Sequence, residues 1–182
     1  SSLVADDGVL NAPDYTRTCQ CAYQNQTSLA LIHMPVNEVW TYNLIKMDGA
    51  PIRRLGINLG APGDRLGDNG TLWLDYPNVG GPSPEIAVTV SPENPSWYCH
   101  HSSFFKGDCP WVVSSGGKGI RSLTVKLSDT TQEQRNYTVR LYFAEPEGMK
   151  PGERVFDVSI QCRPVLERFD IIGEAKATRT TI

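Results

Sequence analysis

The chain of 182 residues is most informative first for what it lacks. No apolar run approaches the roughly 20 residues that span a bilayer as a helix, which excludes a helical membrane anchor from the sequence as read. Charge of one sign is also missing. Seventeen Lys and Arg face 20 Asp and Glu, for a formal net charge of −3. No basic stripe marks a nucleic-acid surface, and no Lys/Arg cluster marks an anionic membrane. The first residues, SSLVADDGVL, carry neither the basic n-region nor the apolar h-region of a signal peptide. Histidine is scarce, at three residues, and no amphipathic pattern outlasts two helical turns. No internal repeat is visible.

The usual catalytic and cofactor motifs are absent as well. There is no G-x-S-x-G elbow, no H-E-x-x-H, no haem-binding C-x-x-C-H and no paired C-x-x-C of structural zinc. The stretch SSGGKG, residues 114–119, lacks the phosphate-loop spacing and precedes a strand pattern, so it reads as a turn. No cofactor and no catalytic residue is expected.

What the chain does contain is turn residues and alternation. Sixteen glycines and 13 prolines punctuate short segments of period 2. Leu123, Val125 and Leu127 share one face of RSLTVKLS. Tyr137, Val139, Leu141 and Phe143 alternate with Thr138, Arg140 and Tyr142. Phe156, Val158 and Ile160 alternate with Asp157 and Ser159. Further strands are expected over residues 39–46, 53–59, 71–76 and 86–90. The clusters GAPGDRLGDNG, PNVGGPSP, SPENP and SSGGKG read as the turns between them. This is the pattern of an all-β antiparallel β-sandwich or jelly roll. A composition shift near residue 48 divides an N-terminal extension, 1–48, from a sandwich, 49–182.

The densest chemistry lies in WYCHHSSFFKGDC, residues 97–109. His100 and His101 are adjacent. On a strand they would point to opposite faces and would not chelate one metal, so no metal site is expected. Cys99 and Cys109 enclose nine residues with a glycine among them. A disulfide between them is expected, contributing roughly 2–3 kcal/mol through the closed loop. Cys19 and Cys21 are too close for an unstrained bridge, and five cysteines leave at least one without a partner in the chain. The sequons at Asn25, Asn69 and Asn136 matter only in a eukaryotic secretory protein.

Flat apolar rings are what pyranose faces stack on, with flanking polar groups taking the hydroxyls. The candidate platform is Trp97, Tyr98, Phe104, Phe105 and Trp111, with Trp73 and Tyr76 from another segment and His100, His101 and Asp64 as polar partners. The competing reading is packing, since in a sandwich an aromatic is more often core than platform. Trp73, inside TLWLDY, leans toward core.

Residues 137–171, YTVRLYFAEPEGMKPGERVFDVSIQCRPVLERFDI, resemble the malectin and malectin-like family. The resemblance rests on the strand ending Phe143-Ala144-Glu145, on GERVFDV at 152–158, on PVLERFDI at 164–171 and on RLGINLG near 54–60 as the opening strand. It implies a jelly-roll sandwich that binds carbohydrate through aromatics on loops at one end. The N-terminal YQNQTSLALIHMP and EVWTYN resemble the last strands of a bacterial quinoprotein-type β-propeller.

Two departures stand out. The family's usual glycine in the turn after FDVSI is replaced by Gln161-Cys162-Arg163. A Cβ at positive φ is costly, so a turn of another type is expected. The family also implies one or two strands beyond residue 182. Residues 38–46 are therefore expected to supply a surrogate edge strand, within the chain or by exchange with a second copy through an open sheet edge.

The expectation is a non-catalytic module for oligosaccharide or polysaccharide, outside the cell or in the periplasm, with no nucleic-acid partner and no membrane insertion. The alternatives are a small hydrolase or metal-assisted enzyme using His100 and His101, and a structural or interaction module of a multidomain bacterial surface protein.

Overall fold

The computed structural model describes residues 4–6, 9–12, 29–34, 36–43, 52–128 and 135–182. The chain forms two compact units, Ser1–Asn37 and Glu38–Ile182. In the first, β1 (Val4–Asp6), β2 (Val9–Ala12) and β3 (Leu29–Ile32) make an antiparallel meander. The division falls before Glu38, so residues 38–43 group with the second unit.

The second unit is built from small sheets. A three-stranded sheet places β6 (Leu72–Tyr76) between β4 (Gly56–Leu59) and β5 (Arg65–Leu66). β5 joins β6 antiparallel, with Arg65 opposite Trp73, whereas β4 joins it parallel, with Gly56 opposite Trp73. Gly56 is required there, because a Cβ would lie 2.2 Å from Trp73 Cδ2. GAPGDRLGDNG is thus not turn throughout. It contains β5, and the hairpin to β6 closes over Gly67–Thr71, with Gly67 N–H donating to Thr71 O at 2.9 Å.

Three antiparallel pairs complete the unit. β7 (Val88–Ser91) pairs with β10 (Ser122–Val125), β8 (Ser96–Cys99) with β9 (Ser115–Lys118), and β11 (Val155–Ile160) with β12 (Arg163–Asp170). Among the described residues, helices are limited to the 3-10 turn Ser102–Phe104, α1 (Pro110–Val113) and α2 (Ile171–Ala175). The fold is all-β. A core of Phe105, Val113 and Ala144 is flanked by Tyr142.

Several expectations are corrected. SSGGKG is not a turn. Its residues Ser115–Lys118 form β9, because two aromatic rings of β8 lie across its glycines. A Cβ on Gly116 would sit 2.6 Å from Tyr98 Oη, and one on Gly117 would sit 2.8 Å from Trp97 Cζ3. The segment 136–145 joins no ladder among the described residues. Near its end Phe143 and Ile182 exchange both backbone hydrogen bonds at 3.1 and 3.0 Å, and at its start Tyr137 Oη donates to Ile52 O at 2.8 Å. Tyr137, Val139 and Leu141 are accordingly exposed. Leu123, expected inward, is exposed too. The alternation of β11 holds, with Phe156, Val158 and Ile160 on the more buried face. Of the edge strand expected over 38–46, Thr41 makes one antiparallel bridge with Asp64 and Asn43 N–H donates to Pro82 O at 2.8 Å. Residues 44–46 lie outside the described residues.

The Cys99–Cys109 disulfide is not formed. Both thiols are free, as is that of Cys162. The loop is closed one step further along, where Cys99 pairs with Ser115 and His100 N–H donates to Ser114 O at 2.8 Å. The ladder brings Cys99 to Ser115, while Cys109 precedes α1 with a left-handed φ of 49°. Cys19 and Cys21 lie outside the described residues.

The 161–163 turn is also not of another type. Gln161 and Cys162 both have positive φ, 50° and 64°, between the paired residues Ile160 and Arg163. This is the two-residue connection whose twist matches its strands. The favoured glycine is replaced by a residue with a Cβ.

Candidate functional site

The aromatics sort into separate groups. Trp97 is half-buried, lies against Gly117 and meets Tyr76 edge to face at 6.2 Å. Tyr98 turns inward over Gly116 and donates its hydroxyl to Val113 O at 3.3 Å. Burial, then the Glu145 carboxylate, pushes the Tyr98 phenol up to about 12, against a smaller pull from Arg154. Phe105 is 5% exposed and belongs to the core. Phe104 is exposed beneath the Arg179 guanidinium at 5.8 Å. His100 is exposed between the rings of Tyr98 and Phe105.

His101 caps the 3-10 turn. Its Nδ1 accepts from Ser103 N–H at 3.2 Å, which assigns the ring proton to Nε2. Nε2 faces Glu38 Oε2 at 4.0 Å, and Ser103 Oγ lies 2.8 Å from Nδ1. Carboxylate, imidazole and hydroxyl are in line, but acyl transfer also needs donors for an oxyanion. The backbone offers none here. Ser102 N–H donates to Glu38, Ser103 N–H to His101, Phe104 N–H to His101 O, Phe105 N–H to Ser102 O and Lys106 N–H to Arg179 O. The arrangement works as a cap.

Asp64 is 1% exposed and is a hub of the fold. Its Oδ1 accepts from Asp75 N–H and Ser83 Oγ, both at 3.1 Å, and its Oδ2 from Asn43 Nδ2 at 3.3 Å. Burial, together with the Asp64 charge, holds Asp75 above the ordinary carboxylate range, against the bond it accepts from Val79 N–H. Asp75, Tyr76, Asn78 and Ser83 wall an open cleft of about 830 Å3. Among the described residues, no three His, Cys, Asp or Glu side chains converge to hold a metal ion.

One aromatic group is assembled from distant segments and stays half-exposed. Trp111, on α1, meets Trp73 of β6 at 5.3 Å and 81°, and Trp40 at 6.4 Å and 74°. Tyr142 adds a fourth ring, 5.7 Å from Trp73. Arg65 of β5 places its guanidinium 4.5 Å from the Trp111 ring centre and 5.7 Å from that of Trp40. The ladder sets this up, since Arg65 is opposite Trp73. The Thr41–Asp64 bridge brings Trp40 alongside, packed on Gly63. Asn58 Nδ2 donates to Trp111 O at 3.3 Å and anchors α1 from beneath. Burial first, then the Asp108 and Asp68 charges, raise the Cys109 thiol, against a smaller effect of Arg65.

Two of the sequence candidates, Trp73 and Trp111, therefore meet. Trp97 with Tyr76, and Tyr98 with His100 and Phe105, form other groups. Trp40, Tyr142 and Arg65 were missed. Arg65 was hidden in a stretch read as turn. Tyr142 sits in the half of its alternation shared with Thr138 and Arg140, a signal that it faces away from Leu141 and Phe143.

Short strands in small, mostly antiparallel sheets, with helices of about one turn, define an all-β protein. The malectin domain family matches residues 122–182, about a third of the chain. No curated protein and no solved structure matches it. The matched stretch runs from β10 through β11 and β12 to the end and includes Tyr142. Trp40, Arg65, Trp73 and Trp111 precede it. No helix among the described residues is long and apolar enough to cross a membrane.

Proposed function

We propose that the unit from Glu38 onward is a non-catalytic carbohydrate-binding module acting outside the cytoplasm. The observation that carries this is the half-exposed cluster of Trp40, Trp73 and Trp111 with Arg65. Three indoles supply apolar surface for the C–H face of a pyranose, and Arg65 supplies a polar group beside it. The malectin match points to the same ligand class. The platform is thus displaced from the 97–105 loop toward α1 and β6. Trp97, Tyr98, His100, His101 and Phe104 belong to other contacts and are not part of it. The N-terminal unit is read as a propeller-tail extension on its sequence resemblance.

A glycan array followed by titration calorimetry tests this. Trp40→Ala and Trp111→Phe should each weaken a positive glycan by about 10-fold, the loss of one well-packed ring contact. Phe104→Ala should leave affinity unchanged. Undiminished binding in both tryptophan variants would move the site elsewhere.

A further inference from the structure

The arginines of this unit differ in what they have left to offer. Arg154 spends its guanidinium on Glu145 and Glu147. Arg54 donates to Asn69 O at 2.8 Å, and Arg179 to Pro146 O at 3.3 Å. Arg65 is half-buried, yet among the described residues no carboxylate lies within ion-pair distance of it and no hydrogen bond uses its side chain. It is held instead by rings, over Trp111 at 4.5 Å and near Trp40 at 5.7 Å.

The ring contacts take no hydrogen-bond acceptor, so among the described residues the guanidinium N–H groups are left without a hydrogen-bond partner. The indoles also displace water from the cation and restrict its rotamers. A planar fork held beside an apolar platform suits a carboxylate, which it can bind with two parallel hydrogen bonds. A pyranose that bears a carboxylate presents both halves of that complement on one ring.

We propose that Arg65 makes this cluster selective for acidic sugars, with a hexuronate ring seated against the indoles and its carboxylate on the Arg65 guanidinium. This rests on the carbohydrate-binding reading of the same cluster.

The test is calorimetry on the 182-residue chain with three tetrasaccharides: hyaluronan, which contains glucuronate; its carboxyl methyl ester; and neutral cellotetraose. The hyaluronan form should bind at least about 10-fold more tightly than the ester, the scale of a charge-assisted bidentate pair. Arg65→Gln should abolish that preference, so that acid and ester bind that variant alike. Arg65→Lys, which keeps the charge and loses the fork, should retain only part of it. Unchanged tryptophan emission and thermal midpoint confirm that both variants are folded. Equal affinity for acid, ester and cellotetraose, unaltered in Arg65→Gln, would overturn the acid selectivity and leave the sugar platform standing. Absence of binding to all three, together with a blank glycan array, would overturn both.

Discussion

Arg154 Nη1 donates to Glu145 Oε2 at 2.5 Å, and that carboxylate is 1% exposed. The same guanidinium reaches Glu147 Oε2 at 3.1 Å, and Lys118 of β9 pairs with Glu147 from the other side. Glu145 O also accepts from Arg179 N–H at 2.8 Å. One pair thus joins the loop before β11, β9 and the C-terminal segment. Removing the cation alone leaves a buried charge uncompensated. Arg154→Ala should cost about 3–5 kcal/mol in urea unfolding, and adding Glu145→Gln should restore part of it. If the single variant lost under about 1 kcal/mol, the pair would not anchor these segments.

Gly116 seats Tyr98. With the Cβ position 2.6 Å from the phenol oxygen, Gly116→Ala must displace the ring and its hydrogen bond to Val113 O. The expected loss is about 1–3 kcal/mol, from overpacking. Gly116→Ala combined with Tyr98→Ala should lose less than the sum of the two single changes, because the clash disappears with the ring.

Tyr98 also makes the fold sensitive to alkali. Its folded pKa of about 12 exceeds the ordinary 10. The folded state therefore holds this proton more tightly than the unfolded one. The contribution is complete below pH 10 and declines as pH rises towards 12. Between pH 9 and 11.5, stability should fall by on the order of 1 kcal/mol more in the native protein than in Tyr98→Phe. Parallel denaturation curves at both pH values would remove Tyr98 as the cause.

The β11–β12 hairpin can be improved. Gln161 and Cys162 carry side chains at φ of 50° and 64°. Replacing them with Asn-Gly should raise stability by about 1–2 kcal/mol without altering the native register. A lower thermal midpoint in the double variant would contradict the turn geometry.

Local pattern was legible and distant convergence was not. The alternation Phe156, Val158, Ile160 could be read because period 2 is a property of consecutive residues, and β11 obeys it. The same alternation at Tyr137, Val139 and Leu141 gave no ladder among the described residues, because a strand also needs a neighbour that its own residues do not specify. SSGGKG looked like a turn because glycine serves both turns and close approach. Only the rings of Trp97 and Tyr98 lying over Gly116 and Gly117 show which use applies.

The sequence by itself determined an all-β chain of short strands, from turn residues and alternation, and its Phe143-Ala144-Glu145 and 152–158 motifs fall inside the last third of the chain, which the malectin domain family matches. Tertiary structure alone decided which aromatics meet. Trp40, Arg65, Trp73 and Trp111 come from four segments, brought together by the Arg65–Trp73 register, the Thr41–Asp64 bridge and the placement of α1. Those pairings are set by one hairpin register and by contacts between distant residues, the Thr41–Asp64 bridge and the Asn58 side chain on Trp111 O. No reading of residue type or spacing contains them.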